Sequence, residues 1–198
     1  MDTNVFEEMA KKYDTEERKE LAKIIVQEIK KELQNSETKS LIDYGSGTGL
    51  ISLELSQVVD SILLIDSSKQ MLEIAEGKIS QKGIPNATVL YSDFTKETPE
   101  LNADIVVVSL VLLHIPDTKK ILTELFSILN KDGKLIIVDF DKNEQIDHPK
   151  VHNGFSHEEL KNILKEVGFK TAEIRTFHHG RRIFIKQDAS MFISSSIK

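Results

Sequence analysis

Three glycines alternate with small polar residues directly after an acidic residue, in the stretch Asp43-Tyr44-Gly45-Ser46-Gly47-Thr48-Gly49. A short apolar run precedes this stretch and a helical pattern follows it, which predicts a buried strand, a tight turn and the start of a helix. Glycine suits such a turn because it tolerates positive φ and lets a ligand approach the backbone closely. Backbone amides at the start of the helix would offer donors to an anionic group. The stretch is therefore a candidate cofactor site, although a plain tight loop can have the same composition.

The spacing and charge of this turn favour one class of cofactor over another. Dinucleotide-binding folds use Gly-x-Gly-x-x-Gly, in which the third glycine lets the helix pack closely on the strand. Here Leu50 stands at that third place, and the turn contains no Lys or Arg to balance a pyrophosphate. Asp43 at the mouth of the turn would repel an anion and attract an ammonium or a sulfonium. The sequence therefore predicts a cofactor with a cationic tail.

A second acid follows the next apolar run, Ser61–Asp66. Asp66 lies roughly 20 residues after the first glycine, where an acid binds ribose hydroxyls in nucleotide-binding folds. The alternative is that Asp66 only caps the following helix, but the adjacent Ser67 and Ser68 could supply that cap instead. Met71, in the first turn of this helix, lies either against an adenine face or in the core.

Polar or aromatic residues also end the third and fourth predicted strands. Asp93 could accept a hydrogen bond from the adenine amino group and Phe94 could pack against the ring, or the pair could form a capped turn. The fourth strand, 104–109, ends at Ser109, and His114 follows in a largely apolar run. A single histidine in an apolar run is more often a packed residue than a catalyst. The spacing of the remaining histidines and acids matches no metal motif, so we expect no metal site.

Five alternations of strand and helix predict an α/β fold, in which a doubly wound parallel sheet binds its ligands at the strand carboxyl ends. A helical pattern over residues 3–33 begins with Phe6 and Met9 and breaks near Tyr13-Asp14. This segment either packs on the domain or forms a lid with Tyr13 over the ligand. Two last strands are predicted at 171–177 and 189–195, with a turn at 178–182 between them.

The bulk composition excludes several functions. The 198 residues suffice for one domain, and the net charge of −6 disfavours a nucleic-acid or anionic-membrane partner. The chain has no cysteine, which rules out disulfides and thiolate chemistry. The longest apolar run is too short to span a bilayer and no signal peptide is recognisable, so we expect a cytoplasmic location.

Taken together and in this order, the motifs resemble those of the class I S-adenosylmethionine-dependent methyltransferases. The glycine turn is similar to their first motif, Ile65-Asp66-Ser67-Ser68-Lys69-Gln70-Met71-Leu72 to their ribose-binding segment, and Tyr91-Ser92-Asp93-Phe94 to their adenine-binding one. The segments 103–110 and 125–139 complete the set. The resemblance covers residues 40–140 and, more loosely, 6–14, which is similar to the lid of members that act on small molecules.

The resemblance implies a single Rossmann-like domain over 1–198, with a seven-stranded sheet of order 3-2-1-4-5-7-6 and an antiparallel seventh strand. Its parts would be a helical lid (1–33), a cofactor-binding core (40–140) and an acceptor-side loop, helix and two strands (141–198). S-adenosylmethionine would be the cofactor. Ser109 and Leu110 would lie beside the sulfonium, and Asp43 beside the ammonium. The full set of implied cofactor contacts is Tyr13, Asp43, Gly45, Ser46, Gly47, Gly49, Asp66, Ser67, Met71, Asp93, Phe94, Ser109 and Leu110.

The implied reaction is methylation of an O, N or C atom of an unidentified small molecule by a monomer or homodimer. If the acceptor carries a proton, we expect His152 to be the base, because it titrates near neutrality and lies in the acceptor-side loop; His114 is the reserve. Two alternatives remain open at this point. One is a binding module that senses the cofactor without transferring a methyl group, and the other is a nicotinamide-dependent oxidoreductase.

Overall fold

The computed structural model describes residues 10–149 and 151–198. The predicted stripe residues Phe6 and Met9 lie outside the described residues. Within those ranges the strands are β1 (Ser40–Tyr44), β2 (Ser61–Asp66), β3 (Ala87–Tyr91), β4 (Ala103–Ser109), β5 (Leu129–Phe140), β6 (Thr171–Phe184) and β7 (Gln187–Ile197). The α-helices are α1 (Glu16–Glu32), α2 (Ser52–Leu55), α3 (Lys69–Lys82), α4 (Thr118–Ile128) and α5 (His157–Val167). Single 3₁₀ turns are formed by Ala10–Lys12, Ser56–Val58 and Leu112–His114.

In the described part of the chain the strands form one seven-stranded sheet in the order β3-β2-β1-β4-β5-β7-β6. Strands β1 to β5 pair in parallel, whereas β7 runs antiparallel to both of its neighbours, β5 and β6. The predicted fold class is therefore confirmed, including the strand order and the antiparallel seventh strand.

The central strands are continuous apolar runs because helices cover both faces of the sheet. In β4, Ile105 and Val107 pack in the cluster that includes α1, while Val106 and Val108 pack in the cluster that includes α4 and α5. This alternation follows from the two-residue period of a strand. No helix in the described ranges is long and apolar enough to cross a membrane.

Local capping signals set the helix bounds. The break predicted near Tyr13-Asp14 is confirmed, because the 3₁₀ turn ends at Lys12 and α1 begins at Glu16, with the Thr15 side chain accepting from the Arg18 amide at 3.3 Å. The pattern Ser156-x-x-Glu159 predicts a capping box at the start of α5, and the Ser156 hydroxyl does accept from the Glu159 amide.

The predicted turn at 178–182 is wrong. These residues belong to β6, which continues to Phe184 and reaches the turn only at Ile185 and Lys186. Phe184 is buried and stacks on Phe140, with ring centroids 4.2 Å apart, so the apolar contact extends the hairpin past the polar stretch. The turn itself contains no Gly, Asn or Pro, which is why the sequence did not indicate it.

The sequence predicts a helix that ends at Asn130, a tight turn at Lys131-Asp132-Gly133 and a fifth strand over Lys134–Phe140. These bounds need correction, because α4 ends at Ile128 and β5 begins at Leu129. The predicted turn is present as an irregularity inside β5, where Asp132 has a φ of 59°. The register with β4 shifts at this point.

Asp104 ties the N-terminal end of β4 to its neighbours, since it accepts from the Ser40 amide at 3.0 Å, the Ser40 hydroxyl at 3.1 Å and the Asn130 side chain at 2.9 Å. We expect Asp104→Ala to lower the free energy of unfolding by about 2 kcal/mol, because it leaves these partly buried donors unpaired. Ser40→Ala, which removes only the hydroxyl, should cost about half as much. Urea unfolding measures both, and an unchanged midpoint for Asp104→Ala would contradict this assignment.

Candidate active site

Two adjoining cavities lie at the carboxyl ends of β1, β2 and β4, where the strand order reverses. The larger has a volume of about 310 Å³ and the smaller of about 40 Å³. They form one cleft, because they share the lining residues Tyr13, Gly45, Gly47, Ser109, Leu110 and His114. A crevice at this point is where open α/β sheets bind their ligands.

The backbone amides of the glycine turn are engaged within the chain. Gly45 and Ser46 donate to the Ile65 carbonyl at 2.8 and 3.0 Å, and Gly47 donates to the Asp66 carboxylate at 2.8 Å. Helix α2 begins only at Ser52. These three amides of the turn are therefore not available to an anionic group.

The three glycines serve different purposes, although each has positive φ. A Cβ at Gly45 would lie 2.3 Å from the Val111 side chain, so this glycine permits a close approach of chain to chain. Among the described residues, a Cβ at Gly47 would meet only Tyr13, at 3.9 Å, and Gly47 lines the cleft. A Cβ at Gly49 would crowd the side chains of α2 and β2 at 3.1 Å, which makes it the residue that lets helix and strand pack together.

Asp43 lines the larger cavity and is buried, with 3% of its surface exposed. It accepts a hydrogen bond from the Ser52 hydroxyl. Burial raises the pKa of Asp43 to about 7, the Ser52 hydrogen bond opposes this rise, and the charge of Asp66 adds to it. A cationic group bound beside Asp43 would stabilise its ionised form.

Asp66 and Met71 line the smaller cavity. The Asp66 carboxylate accepts from the Gly47 amide and, at 2.8 Å, from the Ser68 amide, while Ser68 itself caps α3. Asp66 thus braces the glycine turn as well as facing the cavity. Met71 is 1% exposed and contacts both the cavity and the core. The predicted contacts of these residues with ribose and adenine stay predictions.

Five predicted site residues lie outside both cavity linings. Asp93 accepts from the Thr95 hydroxyl at 2.5 Å and pairs with Lys96 at 3.1 Å. Burial alone would raise the pKa of Asp93, but these two partners and the Thr95 amide hold it below its ordinary value. Phe94 is buried against Tyr44, with ring centroids 4.7 Å apart. The five residues are Gly49, Ser67, Asp93, Phe94 and His152.

The end of β4 contributes a polar group and a strained backbone to the cleft. Ser109 is buried, and its hydroxyl has no hydrogen-bond partner in the described part of the chain; the same holds for the hydroxyl of Ser46. Leu110 has a φ of 57°, which is unusual for a residue with a side chain. Such outliers concentrate at functional sites.

Tyr13 lies over the glycine turn and lines both cavities. Arg18 stacks on its ring at 4.1 Å and donates to its carbonyl at 2.9 Å. The neighbouring Asp14 accepts from the Thr48 hydroxyl at 2.5 Å and pairs with Lys78 at 2.6 Å, while Lys78 also donates to the Thr48 carbonyl. These contacts fasten the segment that carries Tyr13 to the glycine turn and to α3. The predicted role of this segment as a lid stays a prediction.

His114 lines both cavities, at the end of the 3₁₀ turn Leu112–His114. Burial lowers its pKa to about 4, so the ring is neutral near pH 7. Behind this turn, the fully buried Asp139 accepts from the Leu113 amide at 3.2 Å and the Phe140 amide at 2.8 Å. Asp139 therefore fixes the turn that presents His114.

His152, the preferred base of the sequence analysis, is exposed and stacks on Phe155, with centroids 4.6 Å apart. Its backbone amide donates to the Leu113 carbonyl at 2.8 Å, so it supports the turn of His114 from outside the cleft. No described residue of the loop 141–155 lines either cavity. The geometry thus favours the reserve candidate.

The larger cavity is also lined by residues that the sequence did not indicate. They come from α1, from the end of β5 and from the β6–β7 hairpin. The sequence could have indicated only those of α1, because Leu21 and Ile25 belong to the apolar stripe of that helix. Among the described residues, no three His, Cys, Asp or Glu side chains converge as a metal site. The unassigned residues are Arg18, Leu21, Ala22, Ile25, Phe140, Ile183 and Ile185.

Comparison with known proteins agrees with this geometry. Residues 35–179 match the model of a family described as Methyltransferase domain. An uncharacterized methyltransferase of Schizosaccharomyces pombe is 28% identical over 155 residues, 68% of this chain and 55% of that protein. The ubiquinone/menaquinone biosynthesis C-methyltransferase UbiE of Vibrio parahaemolyticus is 27% identical over 59% of this chain and 47% of that protein. The chain spans about half the length of these curated relatives.

A crystal structure of a SAM-dependent methyltransferase from Aquifex aeolicus has the same fold, with a TM-score of 0.72 and 23% identity. The alignment covers 100% of this chain and 98% of that one. Because the family model matches most of its length, the chain belongs to the class I S-adenosylmethionine-dependent methyltransferase family, and its cofactor is S-adenosylmethionine. The residues present fit this cofactor, since a buried carboxylate and two unpartnered hydroxyls line the cleft.

The contrast between two glycines tests which part of the turn faces the ligand. Gly47→Ala should fold, with a cost of about 1 kcal/mol for its positive φ, but its methyl group would project into the cleft. We expect its affinity for S-adenosylhomocysteine to fall at least about tenfold in calorimetry, the effect of losing about 1.4 kcal/mol. Gly45→Ala should instead unfold more easily by about 2 kcal/mol, because its Cβ would overlap Val111. Unchanged affinity in Gly47→Ala would place the ligand elsewhere.

The buried carboxylate makes cofactor binding depend on pH. Since the pKa of Asp43 is raised to about 7, the carboxylate is mostly protonated at pH 6 and mostly ionised at pH 8. The ammonium of S-adenosylhomocysteine should therefore bind about tenfold more tightly at pH 8 than at pH 6. Asp43→Asn should bind S-adenosylhomocysteine weakly and with the same affinity at both pH values. A pH dependence that persists in this variant would assign the effect to another group.

Proposed function

We propose that this chain transfers the methyl group of S-adenosylmethionine to a nucleophilic O, N or C atom of a small molecule. One observation carries the proposal: the unpartnered hydroxyls of Ser46 and Ser109 line the same cleft as the buried carboxylate of Asp43. A buried polar group without a partner costs free energy, which a polar ligand can recover. Membership of the methyltransferase family supports the same reading.

The charges that line the larger cavity suit the zwitterionic end of the cofactor. Asp43 would hold the ammonium, and Arg18, which lines the same cavity, would face the carboxylate. In the smaller cavity, Asp66 would accept from the ribose hydroxyls and Met71 would contact the adenine. A carboxylate offers about four lone-pair sites, so bracing the turn does not prevent Asp66 from accepting further hydrogen bonds.

S-adenosylmethionine supplies a methyl group on a positively charged sulfur, which is already reactive when it is bound. The chain's own contribution is then to position the acceptor and to exclude water. Tyr13 covers the glycine turn, and Leu110 lines both cavities of the cleft.

We assign the proton acceptor, where one is needed, to His114 rather than His152, because only His114 lines the cleft. Its ring is neutral near pH 7 and one ring nitrogen can accept a proton. A base with a pKa of about 4 is weak, but the proton of the acceptor becomes far more acidic as its nucleophilic atom gains the methyl group. Proton removal late in the reaction therefore suits this histidine.

Two measurements test the proposal. Calorimetry should show binding of S-adenosylhomocysteine and not of NADH; binding of NADH alone would instead identify an oxidoreductase. A donor with an isotopically labelled methyl group, incubated with the protein and a metabolite extract, should then give new labelled products by mass spectrometry. Tight binding without labelled product would favour the alternative of a sensing module.

Once an acceptor with a dissociable proton is found, His114→Asn should lower kcat by about 100-fold, the usual contribution of general base catalysis. His152→Ala is the matched control, and it should keep kcat within about twofold because its side chain lies outside the cleft. Equal activity of His114→Asn and the parent chain would remove His114 from the mechanism.

A further inference from the structure

Beyond the glycine turn, the larger cavity ends in an apolar chamber. We define this chamber by six side chains: Leu21, Ala22 and Ile25 of α1, Phe140 at the end of β5, and Ile183 and Ile185 of the β6–β7 hairpin. In the sheet, β5 and the hairpin lie on the opposite side of β1 from β2, whose Asp66 faces the smaller cavity. The chamber is therefore separate from the part of the cleft that we assign to the nucleoside.

The six side chains that define the chamber offer no partner to a charged ligand. Of the described residues that line the larger cavity, only Asp43 and Arg18 carry a charge near neutral pH, and neither belongs to the chamber. Both are assigned above to the two charges of the cofactor. An ionised group placed among the six apolar side chains would be buried without a counter-charge, which is strongly unfavourable. The chamber thus selects an uncharged apolar body.

The backbone conformation of the hairpin turn is independent evidence that the chamber has a function. Its two turn residues, Ile185 and Lys186, have φ angles of 49° and 61°. Positive φ in a β-branched residue is an outlier, and two-residue hairpin turns of this kind favour Asn and Gly. Burial does not account for the isoleucine, since Ile185 is 44% exposed. A strained residue that lines a cleft points to a function for its side chain.

We propose that the apolar chamber binds the methyl acceptor, that this acceptor is an uncharged molecule with an aromatic or alicyclic body, and that Ile185 is a specificity-determining residue that closes the chamber over it. The transfer of a methyl group to this molecule rests on the proposed function, whereas the binding of the molecule in the chamber does not. The chamber holds the apolar body, and the hydroxyl, amine or carbon nucleophile of the acceptor lies toward Ser109 and His114 at the mouth of the chamber.

A fluorescence titration can test this without an identified substrate. The probes are 2-naphthol, an uncharged bicyclic phenol, and naphthalene-2-sulfonate, its anionic counterpart. The chain contains no tryptophan, so the naphthalene emission is measured against little protein background. Each probe is titrated into the full chain with and without saturating S-adenosylhomocysteine. Ile185→Gly is compared with Lys186→Gly, which changes the same turn in the same way at a residue that does not line the cleft.

We expect 2-naphthol to bind in the presence of S-adenosylhomocysteine, and the sulfonate to bind at least about tenfold more weakly. Ile185→Gly should weaken 2-naphthol binding about tenfold, as expected when a few methylene-sized groups leave an apolar contact. Lys186→Gly should stay within about twofold of the parent chain. Both variants should keep or raise the Tm, because glycine relieves the positive φ.

Several results would overturn the inference. These are equal binding of the sulfonate, displacement of 2-naphthol by S-adenosylhomocysteine, and identical affinities of the two glycine variants. A lower Tm for Ile185→Gly than for Lys186→Gly would make Ile185 a structural residue and would also overturn it. Failure of S-adenosylhomocysteine to bind would instead count against the proposed function, and the titrations without it would still decide whether the chamber binds apolar molecules.

Discussion

The hydrogen bonds between the glycine turn and the end of β2 determine the shape of the whole cleft. They use the amides of Gly45, Ser46 and Gly47, which in a phosphate-binding turn would face the ligand. With these amides engaged by Ile65 and Asp66, Gly45, Ser46 and Gly47 line the cavity, and the Ser46 hydroxyl has no partner in the described part of the chain. The turn therefore forms a close-fitting wall for a ligand rather than an anion-binding nest. This agrees with the two carboxylates that border it.

Much of the cofactor side could be predicted because its signals are local. Each acid or glycine follows directly after a buried strand, and the carboxyl ends of parallel strands meet at one edge of the sheet. The positions of Asp43, Asp66 and Ser109 in the cleft follow from that rule alone. What the sequence could not indicate is which partners these groups would have within the chain. Asp66 is an example, since it braces the glycine turn through a contact 19 residues away.

The acceptor side was predicted less well because its residues come together only through tertiary packing. The two strands of the hairpin were predicted, but the position of their turn was wrong, since the turn has Ile185 and Lys186 where glycine or asparagine would have given a signal. His152 was preferred over His114 because it is a histidine in the acceptor-side loop, but no described residue of the loop 141–155 lines the cleft. The buried Asp139, by contrast, orders the turn of His114 from behind. A polar sequence context predicts that a residue is exposed to solvent, but it does not predict that the residue faces the cleft.

The segment that carries Tyr13 has a wider consequence, because Thr15 joins it directly to α1 with no flexible linker. Tyr13 lies over the glycine turn, and Leu21, Ala22 and Ile25 of the same continuous segment wall the apolar chamber. The cover of the glycine turn and the wall of the apolar chamber are therefore contiguous in the sequence, with the Thr15 cap between them. A substitution that displaces this segment would alter both compartments of the cleft at once.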